Sequence, residues 1–132
     1  MTATAVTGEA VFGADLASAG QARSFLRAEL ATLDLDDDVV DTIVLLASEL
    51  VTNAVLHART DLIVRYMLHP GCVRIEVLDG NSRLPSPVAA PLDATSGRGL
   101  ALVQSLADNW GIERTAGGKT VWIEIPTLAI AA

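Results

Sequence analysis

A polar stripe interrupts a long apolar segment in the first half of the sequence. Glu49, Asn53 and His57 are spaced by four residues within the segment 38–58, which is otherwise rich in valine, leucine, isoleucine and alanine. On a helix this spacing aligns the three side chains along one face, about 6 Å from one to the next. A carboxylate can orient or deprotonate a nucleophile, and an amide oxygen can bind a hard cation. The stripe therefore predicts either a catalytic, metal-binding face or the exposed side of an amphipathic helix.

A second signal is a pair of glycines at a predicted loop-to-helix junction. Gly97 and Gly99 flank Arg98 at the start of a helix predicted over residues 99–108. Such glycines let backbone N–H groups approach a ligand, and a helix N-terminus favours an anionic group such as phosphate. The segment matches neither the Rossmann fingerprint nor the P-loop, because no strand leads directly into it and Lys119 lies far away. Phosphate binding and an ordinary loop both remain open at this point.

A third signal is the carboxylate of Asp79, which directly follows the apolar run 73–78 and precedes Gly80. An acidic residue in this position either ends a buried strand at a cleft or forms a turn. The pattern around Asp79 alone does not separate these two interpretations.

The remaining segments predict the helices and strands that must position these residues. Residues 15–33 have apolar positions at helical spacing and begin with Asp15 and Ser18, either of which can cap a helix. The apolar segment 38–58 predicts a longer helix that must lie against a sheet. Strands are predicted at 9–13, 62–68, 73–78, 111–115 and 120–125, with turns at His69-Pro70-Gly71 and Gly117-Gly118.

These elements predict one domain over residues 9–126, with a flexible tail at 1–8 and a C-terminal tail at 127–132. Residues 80–96 contain three prolines and predict an extended loop, which in a compact chain is usually functional. The order of helices and hairpins predicts an α+β fold. Its expected architecture is a two-layer α/β sandwich, with helices on one face of a mixed, mostly antiparallel sheet.

Composition limits the class of protein. The chain has 132 residues and a net charge of −7, and Lys119 is its only lysine. The absence of a basic stripe argues against binding to nucleic acid or to anionic lipid. The single Cys72 excludes an intramolecular disulfide. Because we find neither a signal peptide nor an unbroken apolar run of about 20 residues, we expect a cytoplasmic protein.

Four segments carry a family resemblance when they are taken together and in order. They are Glu49-Leu-Val-Thr-Asn53-Ala-Val-Leu-His57, Val77-Leu-Asp79, Gly97-Arg-Gly99-Leu and Gly118-Lys-Thr120-Val-Trp. In this combination the sequence resembles the GHKL (Bergerat-fold) ATPases, and most closely the small stand-alone branch that contains bacterial anti-sigma-factor serine/threonine kinases. The resemblance covers residues 12–126 and implies the Bergerat ATP-binding fold with ATP and Mg²⁺ as cofactors.

The resemblance implies a role for each matching residue. Glu49 matches the general base and Asn53 the Mg²⁺ ligand, whereas His57 matches a position that we expect to serve in packing or capping. Asp79 matches the aspartate that accepts a hydrogen bond from the adenine amino group. The cofactor-binding set that the resemblance implies is Asn53, Asp79, Gly97, Arg98, Gly99, Leu100 and Thr120, with the glycines under the phosphates and the threonine near an adenine-bound water.

Two departures from the family pattern keep a second function in view. Gly80 stands directly after Asp79, where the family commonly has Asp-x-Gly-x-Gly, and Leu56 stands where many relatives have a basic residue. Both changes affect contacts to nucleotide. We therefore weigh an ATP-dependent kinase against a non-catalytic ATP-binding module whose nucleotide state controls partner binding.

The kinase hypothesis follows from the resemblance and from the presence of both Glu49 and Asn53. It implies an anti-sigma factor that acts in transcription regulation, with a sigma factor and an anti-anti-sigma antagonist as partners, and it leaves homodimer formation open. The catalytic half of a two-component histidine kinase is disfavoured, because we find no helical pair with a phospho-accepting histidine before the domain and no room for a sensor.

Overall fold

The computed structural model describes residues 6–81 and 107–127. Over these ranges, two helices and five strands follow the chain in the order β1, α1, α2, β2, β3, β4, β5. Their bounds are β1 Val6–Phe12, α1 Ala17–Leu30, α2 Asp37–His57, β2 Leu62–His69, β3 Cys72–Asp79, β4 Asn109–Thr115 and β5 Gly118–Pro126. The strands form one sheet in the order β1-β2-β3-β5-β4, and every neighbouring pair is antiparallel. The predicted α+β fold class is confirmed.

The ends of several elements differ from the sequence-based expectation. Strand β1 begins at Val6, three residues before the predicted strand, because Val6, Thr7 and Gly8 pair with β2. The expected tail therefore does not extend to Gly8. Helix α1 ends at Leu30 rather than near residue 33.

Neither of the two predicted cap residues, Asp15 and Ser18, occupies the N-cap position of α1. The N-cap residue is Leu16, which has no side-chain cap, and the Asp15 carboxylate accepts a hydrogen bond from the Ala17 N–H at 2.8 Å. Ser18 lies inside the helix, where its hydroxyl donates to the Gly13 carbonyl at 2.6 Å. The Asp15 carboxylate, one residue before the N-cap, therefore accepts a hydrogen bond from the first N–H of the helix.

Both predicted hairpins are present, and the turn of the second one is shifted by one residue. The Pro70-Gly71 turn joins β2 to β3, and Gly71 has a φ of 87°, which suits glycine at the second central position of a type II turn. The second turn consists of Ala116 and Gly117, because Gly118 already pairs with Thr115. The predicted turn at Gly117-Gly118 is therefore wrong by one residue.

The prediction of a helix over 99–108 falls largely outside the described residues. Its last residue, Asp108, is described, and its backbone N–H donates to the Glu124 carbonyl of β5 at 2.7 Å. Asp108 therefore continues the pairing of β4 with β5 and does not belong to a helix.

The core lies between the helices and one face of the sheet. Helix α2 packs against α1 and contacts β2, β3 and β5, which explains why apolar residues occupy most of its circumference. By length and composition alone α2 could cross a membrane, and in this fold eight of its residues are buried inside the domain. The largest fully buried side chains are Leu26, Leu30, Ile43, Leu46, Leu62, Ile75, Ile123, Val44, Val51, Val64, Val73 and Val77.

The opposite face of the sheet carries charged side chains. Arg65 contacts Glu9 at 2.9 Å and Glu76 at 3.0 Å, and Arg74 contacts Glu76 at 2.9 Å and lies 4.2 Å above the Trp122 ring. Because successive strand residues point to opposite faces, this ladder confirms that β2, β3 and β5 turn their other residues towards the helices. The register thereby assigns Asp79 to the helix side, in line with Ile75 and Val77.

Two adjacent leucines of α2 test this packing. Leu46 is fully buried, whereas 43% of Leu45 is exposed. We expect Leu46→Ala to lower the free energy of unfolding by about 2–5 kcal/mol, because it removes buried methyl groups and leaves a cavity. We expect Leu45→Ala to lower it by less than about 1 kcal/mol. Urea denaturation of both variants measures the difference, and equal losses would contradict the assignment of the buried face.

Candidate nucleotide-binding site

The polar stripe of α2 lies at the rim of the core. Helix α2 is continuous from Asp37 to His57, so Glu49, Asn53 and His57 remain on one face. Glu49 and Asn53 are half-buried, and His57 in the last turn is exposed. A polar group at the rim keeps access to water or ligand and avoids the cost of burial without a partner. The stripe therefore offers a carboxylate and an amide beside the apolar face that contacts the sheet.

The carboxylate of Asp79 is the most enclosed charged group of the candidate site. Asp79 is the last residue of β3, and only 1% of its side chain is exposed. Its Oδ1 accepts hydrogen bonds from the Asn81 backbone N–H at 2.9 Å and from Lys119 Nζ at 3.2 Å. Its Oδ2 lies 3.1 Å from the same Nζ but outside hydrogen-bond geometry, and it has no hydrogen-bond donor among the described residues. Asp79 thus keeps one buried oxygen that accepts no hydrogen bond from the described residues.

Lys119 is the counter-ion of Asp79. It lies on β5 directly opposite Asp79, and only 5% of its side chain is exposed. Besides the carboxylate, its ammonium contacts the Asn81 carbonyl at 3.1 Å. Lys119 was not among the site residues predicted from the sequence. The only feature of the sequence that marks Lys119 is that the single lysine of the chain follows two glycines at the start of a strand. The sequence around Lys119 does not indicate that β5 lies beside β3.

The segment after Asp79 is tied to the end of α2. The backbone N–H of Gly80 donates to the Thr60 hydroxyl at 2.8 Å, and the Asn81 amide donates to the Ala58 carbonyl at 3.5 Å. Ala58 is the C-cap of α2, so these bonds hold the end of β3 against the end of the helix that carries the polar stripe. Gly80, a departure from the family pattern, is used here in backbone hydrogen bonding.

Gly118 allows β5 to approach β3 closely. A Cβ atom on Gly118 would overlap the carbonyl oxygen of Asp79. Any side chain here would push the Asp79 backbone away from its place opposite Lys119. The glycine before Lys119 is therefore a steric requirement of the Asp79 position.

The other residues of the expected site are placed differently or lie outside the described ranges. Thr120 is 6% exposed and pairs with Leu78, so it lies on the sheet face opposite to Asp79. Its contact near adenine stays a prediction. The remaining residues of the expected cofactor-binding set, Gly97, Arg98, Gly99 and Leu100, all lie outside the described residues.

The donor set available to a metal ion is small. Within residues 6–81 and 107–127, no group of three or more histidine, cysteine, aspartate or glutamate side chains converges to hold a metal ion. Asn53 offers an amide oxygen beside Glu49. Such a set suits a cation like Mg²⁺, which often takes one or two protein ligands and completes its shell with waters and substrate phosphates.

The described residues form a domain with helices on one face of an antiparallel sheet and a buried carboxylate at the end of a central strand. The family of histidine kinase-like ATPase domains matches residues 12–125. The chain belongs to this family, and membership implies ATP binding. The cytoplasmic location stays a prediction.

Solved structures agree with this membership. The RsbU and RsbW domains of Rv1364c from Mycobacterium tuberculosis match with a TM-score of 0.70 and 26% identity, over 91% of this chain and 32% of that chain. The Erythrobacter litoralis EL346 blue-light activated histidine kinase matches with a TM-score of 0.55 and 29% identity, over 71% of this chain and 32% of that chain. The histidine kinase domain of that enzyme matches with a TM-score of 0.55 and 25% identity, over 85% and 60% of the two chains.

The chain thus spans only 32% to 60% of the length of these three solved chains. Comparison with curated proteins gave no match.

Two adjacent glycines test the close approach of β5 to Asp79. We expect Gly118→Ala to lower the free energy of unfolding by about 1–3 kcal/mol, because its methyl group overlaps the Asp79 carbonyl. Gly117→Ala is the matched control, since a Cβ there meets nothing within 4 Å, and it should be neutral or stabilising by up to about 1 kcal/mol. Chemical denaturation checks both values, and a neutral Gly118→Ala would contradict the steric argument.

Proposed function

We propose that this protein is an ATP-binding regulator of the anti-sigma-factor type with serine/threonine protein kinase activity, which phosphorylates an antagonist protein with Mg-ATP. Family membership supports the ATP-binding part of this proposal. The similarity to the RsbU and RsbW domains of Rv1364c supports the regulatory part. The polar residues of α2 support the kinase part, because a module that only binds nucleotide has no need of a base.

The unsatisfied Oδ2 of Asp79 is the observation that carries the nucleotide assignment. A buried acceptor without a donor costs free energy, and a ligand with an N–H group in that position removes the cost. The 6-amino group of adenine is such a donor, whereas guanine has a carbonyl oxygen at the same position. The donor chemistry of the site therefore fits ATP better than GTP.

Glu49 and Asn53 have the chemistry that the transfer step requires. The amide oxygen of Asn53 would hold Mg²⁺, which when bound supplies positive charge to the triphosphate of a chain whose own net charge is −7. Glu49 lies one helical turn away and would take the proton from the attacking hydroxyl. Both residues occupy the same face of a continuous helix, so their spacing is fixed by α2.

The proposed reaction transfers one phosphoryl group. The hydroxyl oxygen of a serine or threonine on the antagonist forms a bond to the γ-phosphorus, the bond from that phosphorus to the bridging oxygen of ADP breaks, and the hydroxyl proton goes to the Glu49 carboxylate. The products are the phosphoprotein and ADP. Such transfers depend mainly on positioning and charge stabilisation, which the rigid α2 and the anchored Asp79 would provide.

The proposed partners are a sigma factor and an anti-anti-sigma antagonist, with transcription regulation in the cytoplasm as the setting. The exposed carboxylates before and within the first turn of α2 offer an acidic surface for a basic partner. Homodimer formation is compatible with the proposal and is not required by it. The second candidate is a non-catalytic ATP-binding module, which the departures at Gly80 and Leu56 favour.

Nucleotide binding tests the role of Asp79. We expect Mg-ATP, and not Mg-GTP, to raise the melting temperature of the wild-type protein by mass action. Asp79→Asn should weaken ATP binding by about 10-fold to 100-fold, because it replaces a charged acceptor with an amide. Isothermal titration calorimetry measures the affinities, and Asp38→Asn, at an exposed carboxylate, is the control. Unchanged ATP affinity in Asp79→Asn would contradict the assignment of Asp79 as the residue that contacts adenine.

Phosphoryl transfer tests the kinase against the module. Purified protein is incubated with γ-labelled ATP, Mg²⁺ and a candidate antagonist, and label on the antagonist is measured. We expect Glu49→Gln to reduce transfer by about 100-fold or more while ATP binding is retained, since it removes the base and keeps the shape. ATP binding by the wild type without transfer to any candidate antagonist would favour the non-catalytic module.

A further inference from the structure

Lys119 has a combination of properties that packing alone does not explain. It is the only lysine of the chain, it is almost fully buried, and its ammonium contacts Asp79 and the Asn81 carbonyl. Burying a charge pair is expensive, and apolar residues of similar volume often serve stability as well or better. A buried ammonium beside Oδ2 of Asp79, the proposed acceptor for adenine, therefore requires a functional explanation.

We propose that Lys119 sets the base selectivity of the nucleotide site by holding Asp79 as an ionised carboxylate with a single free acceptor, Oδ2. This inference rests on the proposed function and concerns the same site. Lys119 acts here as a positioning residue, because it works through Asp79 and is assigned no contact with the nucleotide.

The charge on Asp79 determines how its oxygens can bond to a base. An ionised carboxylate only accepts hydrogen bonds, whereas a protonated one also donates. A buried carboxylate without a counter-ion takes up a proton rather than remain charged. Among the described residues, Lys119 is the cationic side chain that contacts Asp79. Its ammonium is therefore the counter-ion that a buried carboxylate needs at this position.

The two oxygens of the Asp79 carboxylate differ in their hydrogen bonds. Lys119 and the Asn81 backbone N–H both donate to Oδ1, so that oxygen is occupied. Oδ2 has no donor in the described part of the chain and is buried. A base that meets Oδ2 must bring an N–H group. A 6-amino purine does so, and a 6-oxo purine places an oxygen against the carboxylate.

Removal of the ammonium should change this preference in a predictable direction. Lys119→Met would leave a buried carboxyl group without a counter-ion. A carboxyl group in that situation favours its neutral form, whose O–H can donate to a 6-oxo group. The preference for ATP over inosine triphosphate, which carries the 6-oxo group, should fall by about tenfold or more. A residue that served only to support the fold would weaken the binding of both nucleotides by similar factors.

The experiment compares four proteins by isothermal titration calorimetry with ATP and with inosine triphosphate. They are the wild type, Lys119→Met, Lys119→Arg and Arg114→Met. Lys119→Arg keeps the positive charge and should retain the preference for ATP. Arg114 is the exposed cross-strand neighbour of Lys119, so Arg114→Met removes a nearby charge without touching Asp79 and should leave the preference unchanged.

A second readout uses the fact that the chain contains one lysine. Labelling with ¹⁵N-lysine gives a single side-chain ammonium signal, which reports directly on Lys119. We expect ATP to shift this signal and tripolyphosphate to leave it in place, because only the base reaches Asp79. An ammonium signal that does not respond to ATP, in a protein that binds ATP, would overturn the inference.

The outcomes separate this inference from the function on which it rests. If the wild type does not bind ATP, the proposed function fails and the inference fails with it. If the wild type prefers ATP and Lys119→Met keeps the same preference, the inference alone is wrong. Should Lys119→Met not fold, Lys119→Gln takes its place, because its neutral amide can still donate to Asp79 and Asn81. An unchanged preference in Lys119→Gln overturns the inference in the same way.

Discussion

The candidate site depends on one buried ion pair at the ends of two central strands. Asp79 and Lys119 lie 40 positions apart in sequence and contact each other only because β3 and β5 are neighbours in the sheet. Either charge alone would be expensive to bury, so the two side chains are coupled. The close approach at Gly118 and the hydrogen bonds that Gly80 and Asn81 donate to Thr60 and Ala58 hold this contact in place. The proposed adenine site around Asp79 therefore forms only when β3 and β5 are paired in the sheet.

Helix α2 connects this contact to the proposed chemistry. Its apolar faces pack against α1 and the sheet, and the same packing sets the direction of the polar stripe at its rim. Its C-cap, Ala58, accepts a hydrogen bond from Asn81, two residues after Asp79. One rigid helix therefore carries the proposed base and metal ligand and also braces the end of the strand that would meet the purine. Precise positioning of this kind is what phosphoryl transfer chiefly requires.

Local pattern predicted much of the fold and part of the site. The spacing of apolar residues correctly predicted α1, α2 and both hairpins, because burial on one face is written in the sequence at a period near 3.6 or 2. The spacing of apolar residues did not predict the element ends correctly. β1 starts at Val6 and Asp108 bonds to β5, because pairing with a distant strand determines both positions. The burial of Lys119 was not predicted either, because no local sequence pattern indicates that a lysine will be buried.

The sequence by itself determined the helices, the hairpins and the ordered motifs that lead to the family of histidine kinase-like ATPase domains. Only the tertiary structure decided that β5 is inserted between β3 and β4, and therefore that Lys119 faces Asp79 while Thr120 lies on the other face. The reason is physical. Hydrophobic periodicity records which side of an element is buried, whereas the choice of strand neighbours is made by the packing of the whole sheet against its helices.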